Sequence, residues 1–159
     1  MLDLNSLTYR WAKPSDYAPL SALMHTAIHS GTSPYTSAQK SAWSPAIRTG
    51  SAWTARLEAQ HILPAEETGQ ALGFMSLAPE GYVDFAYILP SARGSGLFRT
   101  LHDEIERLAL DQGLSRMHTH ASLMARPAFA ACGYTVSTPE SVHINGQDLK
   151  RSAMEKHLK

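Results

Sequence analysis

Hydrophobic and polar positions along the chain follow two spacings, that of one helix face and that of one strand. Apolar residues three and four apart, between capping residues and prolines or glycines, predict five helices. These helices cover about 15–31, 36–43, 50–57, 97–112 and 123–132. Short alternating or continuous apolar runs predict seven strands. These strands are 7–11, 61–66, 71–77, 82–89, 116–121, 134–136 and 149–154.

Local signals refine several of these elements. Ser15 and Asp16 offer side-chain oxygens to cap the first helix, and Thr36 and Gln39 have the spacing of a capping box. The strands 61–66 and 71–77 form a predicted hairpin with a turn between them. In the second half of the chain strands and helices alternate, which predicts an α/β architecture.

The strand 82–89 is almost continuously apolar and aromatic, which predicts burial on both faces. Asp84 is its one carboxylate. A buried carboxylate needs either a partner or a chemical role, so Asp84 is a candidate for both.

Composition indicates the number of domains, the class of partner and the cellular compartment to expect. The 159 residues, 43% of them hydrophobic, are of a size to form one domain spanning 1–159. Fourteen basic and 14 acidic residues balance, so no overall field favours nucleic acid or an anionic membrane. The single cysteine, Cys132, excludes an internal disulfide and fits a reducing compartment. No apolar run reaches the length of a signal-peptide core or a membrane span, so we expect a cytoplasmic protein.

A glycine-rich turn follows the strand 82–89 and precedes the longest helix. Gly94 and Gly96 lack a Cβ, so a ligand can approach their peptides closely, while Arg93 and Arg99 add positive charge. Free amides at the start of a helix suit an anion such as a diphosphate. The other interpretation is that this turn is only a connection.

Two motifs together resemble the GNAT superfamily of N-acetyltransferases, over nearly the whole chain. The first is an apolar strand and proline, then Arg93, two residues, Gly96, one residue and Phe98, where relatives have glycine or alanine. The second runs from Ala125 to Gly133-Tyr134. Details such as 81–84 and 121–127 resemble a bacterial branch. The resemblance implies a mixed, splayed sheet of six to seven strands with helices on both faces.

The resemblance also implies an acetyl-CoA site without a metal. Its residues at matching positions are Ala86, Tyr87, Ile88, Arg93, Gly94, Ser95, Gly96, Leu97, Phe98, Arg99 and Ser122. The bulk of Phe98 must turn into the core or crowd the cofactor, and we favour the core because Phe98 adjoins the apolar stripe that begins at Leu97. Ser122 has a second interpretation as a helix cap.

Proton transfer is where the chain departs from its relatives. Many of them have a tyrosine four residues before the glycine of the second motif, to protonate the leaving thiolate, and here that residue is Phe129. Histone-acetylating relatives have a glutamate base at the position of Tyr82. Asp84, on the same strand face, is our first candidate base, with a structural role as the alternative. His120 is the second candidate catalytic residue.

The expected acceptor is an amine of a small molecule or peptide, with unknown identity. Tyr35 and Trp43 flank the helix that covers the acceptor pocket in relatives, so they form an aromatic wall or pack structurally. Tyr82 is the third candidate for contact with the substrate. His25 and His29 lack a third ligand, so we expect no metal site. Two other functions stay open, a CoA-binding sensor without turnover and an unrelated nucleotide-binding protein. The resemblance also leaves open a homodimer paired through late strands.

Overall fold

The computed structural model describes residues 2–158, which form five α-helices and seven strands. The helices are α1 (Tyr17–His29), α2 (Ser37–Trp43), α3 (Ser51–Glu58), α4 (Leu97–Asp111) and α5 (Arg126–Ala131). The strands are β1 (Thr8–Tyr9), β2 (His61–Glu67), β3 (Gln70–Leu77), β4 (Ala86–Ile88), β5 (Arg116–Ser122), β6 (Thr135–Ile144) and β7 (Gln147–His157). The predicted α/β class and strand number are confirmed. None of the helices within 2–158 combines the length and apolar content needed to cross a membrane.

The strands form two antiparallel sheets. The first has the order β1-β2-β3-β4 and the second the order β5-β7-β6. Within residues 2–158, the one β-bridge between the two sheets is parallel and joins Tyr82 and His118. There the Val83 amide donates to the His118 carbonyl at 2.8 Å, and the His118 amide donates to the Gly81 carbonyl at 3.0 Å.

Gly81 makes this bridge possible. Its φ is +97°, and a Cβ there would lie 2.4 Å from the Arg116 carbonyl oxygen. No other residue fits so close to a neighbouring backbone at this φ without displacing the chain. Beyond the bridge β4 stays with β3 and β5 stays with β7, so the two sheets splay apart.

Helices cover both faces of the first sheet, as expected. One hydrophobic cluster joins α1 and α3 to Ile62 and Phe74, and a second joins α4 and α5 to Leu63 and Met75. Neighbouring residues of β2 and of β3 therefore point into opposite clusters, as strand alternation requires.

The predicted strand 82–89 is wrong in extent and burial. Only Ala86–Ile88 is regular strand, and Val83 and Phe85 are buried while Tyr82 and Asp84 are half-exposed. The Val83 amide points to β5, whereas the Phe85 amide donates to the Ser76 hydroxyl on β3 at 2.9 Å. Residues two apart in a regular strand direct their amides to the same edge, so the chain is irregular at Asp84.

Other predicted boundaries also need correction. The first strand shortens from 7–11 to Thr8–Tyr9, and the last helix shortens from 123–132 to Arg126–Ala131. The last two strands are much longer than 134–136 and 149–154, since an Asn145-Gly146 turn with φ of 47° and 83° joins them as a hairpin.

Asp16 does not cap α1 with its side chain. Its carboxylate instead accepts hydrogen bonds from the Arg10 guanidinium and the Lys13 amide. The capping box of Thr36 and Gln39, by contrast, is confirmed at the start of α2.

Candidate active site

A cavity of about 400 Å³ lies between the splayed strands. The residues of β4 line one side of it, and Ser122 at the end of β5 lines the other side with Met124 and Ala125 of the following loop. The Phe85 and Leu89 amides donate toward β3, so strand alternation directs the amides of Ala86 and Ile88 into the gap. The cavity therefore contains a free strand edge, ready to bind an extended polar chain.

One face of α5, formed by small side chains, leaves room for this cavity. Ala125, Ala128 and Ala131 all line it, at a spacing of three residues. Sequence reasoning did not identify Ala128 and Ala131, although small residues at this spacing indicate a helix face with little side-chain volume.

The glycine-rich turn closes one end of the cavity. Gly94 and Gly96 have φ of +74° and +89°, and no atom lies within 4 Å of a Cβ built on Gly94. The amides of Gly94, Ser95, Gly96, Phe98 and Arg99 have no hydrogen-bond partner within residues 2–158. Five unpaired donors at the start of a 15-residue helix form an anion cradle.

Some residues predicted for this turn have other partners. The Arg93 guanidinium donates to the carbonyls of Ala27, Ser30 and Ile88 at 2.8–3.3 Å, so it ties the end of α1 to the turn. The Arg99 guanidinium hydrogen-bonds the Ala131 carbonyl at the end of α5. The Leu97 amide donates to the Ser95 hydroxyl at 3.3 Å. Arg93 and Arg99 still line the cavity with their positive charge.

Phe98 packs against the protein interior, and it also lines the larger cavity. Its ring packs edge-on against Phe129, with centroids 5.0 Å apart, and joins the cluster beneath α4. Phe129 is 2% exposed and lies between Phe98 and Tyr134. The position that holds a tyrosine in many relatives is therefore an apolar contact here.

Ser122 caps the turn that leads into α5. Its hydroxyl accepts from the Ala125 amide at 3.1 Å, which supports the capping interpretation, although Ser122 also lines the cavity. Cys132 lines the same cavity, and burial raises the pKa of its thiol, so it remains a neutral apolar side chain.

A second, smaller cavity of about 50 Å³ adjoins the first. The two share Trp43, Ala86, Tyr87, Ser122 and Ala125.

The smaller cavity contains polar side chains that the larger one lacks. These are Asp84, Thr119 and His120, and Phe129 forms part of its floor.

Asp84 is held in an ion pair. Its carboxylate accepts two hydrogen bonds from Arg56, at 2.6 and 2.8 Å, and one from Gln60 at 2.9 Å. Burial raises the pKa of Asp84, but the hydrogen bonds from Arg56 and Gln60 outweigh it and hold the pKa below its usual value. This geometry supports the structural alternative, because a paired carboxylate is a weak base.

His120 has a different environment. Its Nδ1 lies 2.7 Å from the Tyr82 hydroxyl, and its Nε2 lies 3.7 Å from a carboxylate oxygen of Glu140. Arg151 in turn donates to Glu140 at 2.6 Å. The imidazole is therefore oriented at both nitrogens and exposed to the small cavity. No sequence signal predicted Glu140 and Arg151, because the register of β6 with β7 brings them together.

Tyr35 and Trp43 have separate roles. The Tyr35 hydroxyl donates to the Lys150 carbonyl at 2.5 Å and accepts from the Leu123 amide at 3.0 Å, so it joins β7 to the loop after β5. Trp43 packs against Tyr35 and Tyr87 and faces both cavities. Only Trp43 of this pair is available as a wall for a ligand.

No group of three or more histidine, cysteine or acidic side chains that could hold a metal occurs in residues 2–158. His25 and His29 instead bond the hydroxyl and the carbonyl of Ser44, each at 2.7 Å.

The model of the acetyltransferase (GNAT) domain matches residues 32–156. The chain belongs to the GNAT acetyltransferase family. A solved structure from Rhodopseudomonas palustris, described as a GCN5-related N-acetyltransferase and as a class-II aminotransferase, is 31% identical. The match to that structure covers 99% of both chains with a TM-score of 0.89.

More distant structures share the GNAT fold. One is yncA of Salmonella typhimurium, solved with its cofactor acetyl-CoA, at 20% identity and a TM-score of 0.67 over 96% of this chain and 94% of that one. Another is a ribosomal-protein-alanine N-acetyltransferase from Brucella melitensis, at 19% identity and a TM-score of 0.70 over 95% and 99%. The protein is therefore a GNAT acyltransferase, with its cleft between the splayed sheets.

Proposed function

We propose that this GNAT acetyltransferase moves the acetyl group of acetyl-CoA directly to the nitrogen of an amine, with both substrates bound together. The observation that carries the proposal is the pair of adjoining cavities. The larger one ends at the amide cradle of 94–99, and the smaller one contains His120. The residues that the cavities share mark the point where thioester and amine would meet.

The donor would occupy the larger cavity. The free amides of the cradle suit its diphosphate, and the edge of β4 suits the amide-containing pantetheine arm. The Ile88 amide, directed into the gap, would donate to the thioester oxygen. One such donor contributes on the order of 10²–10³ in rate when negative charge develops on that oxygen.

His120 is the proposed base. With Nδ1–H donating to the Tyr82 oxygen, Nε2 is free to take the ammonium proton, and the Glu140 carboxylate 3.7 Å away stabilises the resulting cation. The amine nitrogen then bonds to the carbonyl carbon, the carbon–sulfur bond breaks, and the nitrogen loses its second proton to solvent as the neutral amide forms. Phe129 has no proton to give, so the sulfur leaves as thiolate, which an ordinary thiol pKa of about 8.5 allows. Asp84 has a structural role, because its ion pair with Arg56 holds α3 beside the smaller cavity.

A thiol-release assay with acetyl-CoA and a panel of amines tests the proposal, with the acetylated product identified by mass. We expect His120→Gln to lower kcat by about 10²-fold or more, as removal of a general base does. Asp84→Asn should stay within about fivefold of the parent, because Asp84 is not the base. Acetyl-CoA binding without thiol release from any amine would contradict acetyl transfer to nitrogen. An unchanged kcat in His120→Gln would show that His120 is not the general base.

Three further expectations accompany this function and stay predictions. These are one domain over 1–159, a cytoplasmic location, and an acceptor that is a small molecule or peptide rather than nucleic acid. A homodimer remains an open option.

A further inference from the structure

One carboxylate oxygen of Glu140 lies between His120 and an arginine. Glu140 Oε1 is 2.6 Å from the Nε of Arg151 and 3.7 Å from the Nε2 of His120. The first distance is that of a short, charge-assisted hydrogen bond, whereas the second is too long for a hydrogen bond. Glu140 is therefore bound to Arg151 and only close to His120.

The strand registers of the second sheet hold these side chains in place. Arg151 on β7 lies directly opposite Glu140 on β6. The residue of β7 opposite His120 is Ala153, two positions from Arg151 and on the same face of the sheet. Its methyl group leaves room for the side chains of His120 and Glu140 to approach each other across β7. A rotation that moves the carboxylate roughly 1 Å closer would complete a hydrogen bond between Glu140 and Nε2.

That hydrogen bond would remove the base. An ionised carboxylate can only accept, so the imidazole would have to bear its proton on Nε2. Nδ1 would then accept from the Tyr82 hydroxyl, which lies 2.7 Å away. The lone pair of Nε2, which takes the ammonium proton in the proposed reaction, would no longer be available. Arg151 is the group that binds the carboxylate away from Nε2.

Other titratable groups surround His120, and these are Tyr82, Asp84, Tyr87, His118 and Glu155. Both carboxylates of this set are in ion pairs with arginines of their own. Burial raises the pKa of both tyrosines and lowers that of His118, so all three are neutral at pH 7. These groups therefore add no net charge beside the imidazole, and the charges that act on it are those of Glu140 and Arg151.

We propose that Arg151 is a positioning residue, which binds Glu140 and so leaves the Nε2 lone pair of His120 free to act as the base. This rests on the proposed acetyl transfer and names the group that keeps its base available. Arg151 lines neither of the two described cavities, so it acts through Glu140 and not on a substrate. Glu140 still lies close enough for its charge to stabilise the imidazolium after proton transfer.

Substitution of each partner alone and of both together tests this in the thiol-release assay. Arg151→Gln should lower kcat at pH 7 by about tenfold and move the acidic limb of the pH profile upward by about one pH unit, because Glu140 binds Nε2. Glu140→Gln leaves the charge of Arg151 near the imidazole, so the acidic limb should move to lower pH. The double variant should recover to within about threefold of Glu140→Gln, because no carboxylate is left to bind Nε2.

Arg116→Gln is the matched control. Arg116 pairs with Glu155 at 2.6 Å in the same sheet, and the side chains of the two ion pairs are exposed to similar extents. Neither Arg116 nor Glu155 is bonded to His120 within residues 2–158. Arg116→Gln and Arg151→Gln should therefore have similar stability in urea, while only Arg151→Gln changes kcat and the pH profile. Arg151→Lys keeps a cation beside the carboxylate and should retain part of the activity.

Nitrogen NMR of protein with isotope-labelled histidine supplies a readout independent of turnover. The ring nitrogen resonances of His120, assigned by comparison with His120→Gln, show which nitrogen bears the proton when the ring is neutral. The parent should bear it on Nδ1, and Arg151→Gln should bear it on Nε2. A residue with a merely structural role would not change this tautomer.

The outcomes separate the two proposals. The same tautomer of His120 in Arg151→Gln and in the parent overturns the role of Arg151. A loss of kcat that the double variant does not recover, or that Arg116→Gln shares, overturns it as well, and acetyl transfer stays intact in each case. Failure of the parent to release thiol with any amine instead defeats the proposed function, and the tautomer then decides the role of Arg151 by itself.

Discussion

Phe98 and Phe129 meet edge-to-face, with ring planes at 90° and centroids 5.0 Å apart. This contact joins the first turn of α4 to α5 beside the larger cavity. It also explains two departures from the family pattern together, since each phenylalanine provides the apolar surface that the other packs against. The amide of Phe98 remains unpaired beside the cavity.

Phe98→Ala should therefore destabilise the fold, with little effect on the affinity for acetyl-CoA. We expect the free energy of unfolding to fall by about 2 kcal/mol, below the usual loss for a fully buried phenylalanine because Phe98 is only half-buried. Urea unfolding measures this, with Phe98→Leu as the milder control. Acetyl-CoA affinity should stay within about threefold, because the amide is kept. Clearly tighter binding would mean instead that the ring crowds the cofactor.

The buried pair of His102 and Tyr134 predicts a pH dependence of stability. The His102 Nε2 lies 2.8 Å from the Tyr134 hydroxyl, and burial lowers the pKa of His102 to about 4, with the charges of Glu106 and Lys156 as smaller, opposing influences. The unfolded chain, with a histidine pKa of about 6.5, binds more protons than the native protein between these values. The free energy of unfolding therefore includes a contribution from neutral His102 that is complete above about pH 6.5. This contribution is lost as the pH falls toward 4, by about 3 kcal/mol in all.

Urea unfolding at intervals from pH 7.5 to 4.5 measures that dependence. His102→Gln is the control, because a glutamine amide can still hydrogen-bond Tyr134 and does not titrate. The parent should lose stability over this interval in excess of the variant. Parallel curves for the two proteins would show that His102 is not the group responsible.

Tyr35→Phe separates packing from acceptor binding. The variant loses the hydrogen bonds to the Lys150 carbonyl and the Leu123 amide but keeps the ring against Trp43. We expect a loss of about 1–3 kcal/mol in the free energy of unfolding, because two backbone groups lose their partner. Tyr17→Phe is a suitable control, since no hydrogen bond of the Tyr17 hydroxyl occurs within residues 2–158. The KM for the acceptor should not change, and a large rise in KM would restore Tyr35 to the substrate wall.

Local chemistry made much of this fold predictable. The capping box at Thr36, the hairpin 61–77 and the glycine turn before α4 each depend on residues adjacent in the chain, so the sequence pattern was sufficient. The anion cradle at Gly94 and Gly96 was predictable for the same reason. Glycine lacks a Cβ and readily adopts the positive φ that both residues have.

The features that could not be predicted depend on contacts between residues far apart in the sequence. The partner of Asp84 is Arg56, 28 residues earlier, and no local pattern links them. The break in the strand 82–89 arises because the Val83 amide donates to the His118 carbonyl on β5, whereas the Phe85 amide donates to the Ser76 hydroxyl on β3. Glu140 reaches His120 through the registers of two strand pairs, β5 with β7 and β6 with β7. Candidate residues could thus be named from sequence, but their partners required the fold.

The measurement that tests the central claim most directly is calorimetric titration of acetyl-CoA into Gly94→Asp and Gly69→Asp. Both glycines have φ near +80° and open space where a Cβ would lie, so the two substitutions impose similar backbone strain and the same charge. Only Gly94 adjoins the unpaired amides before α4. Gly94→Asp should weaken binding by about 30-fold or more, because its carboxylate repels the diphosphate. Gly69→Asp should bind like the parent. Equal affinities in the two variants would contradict a diphosphate site at this turn.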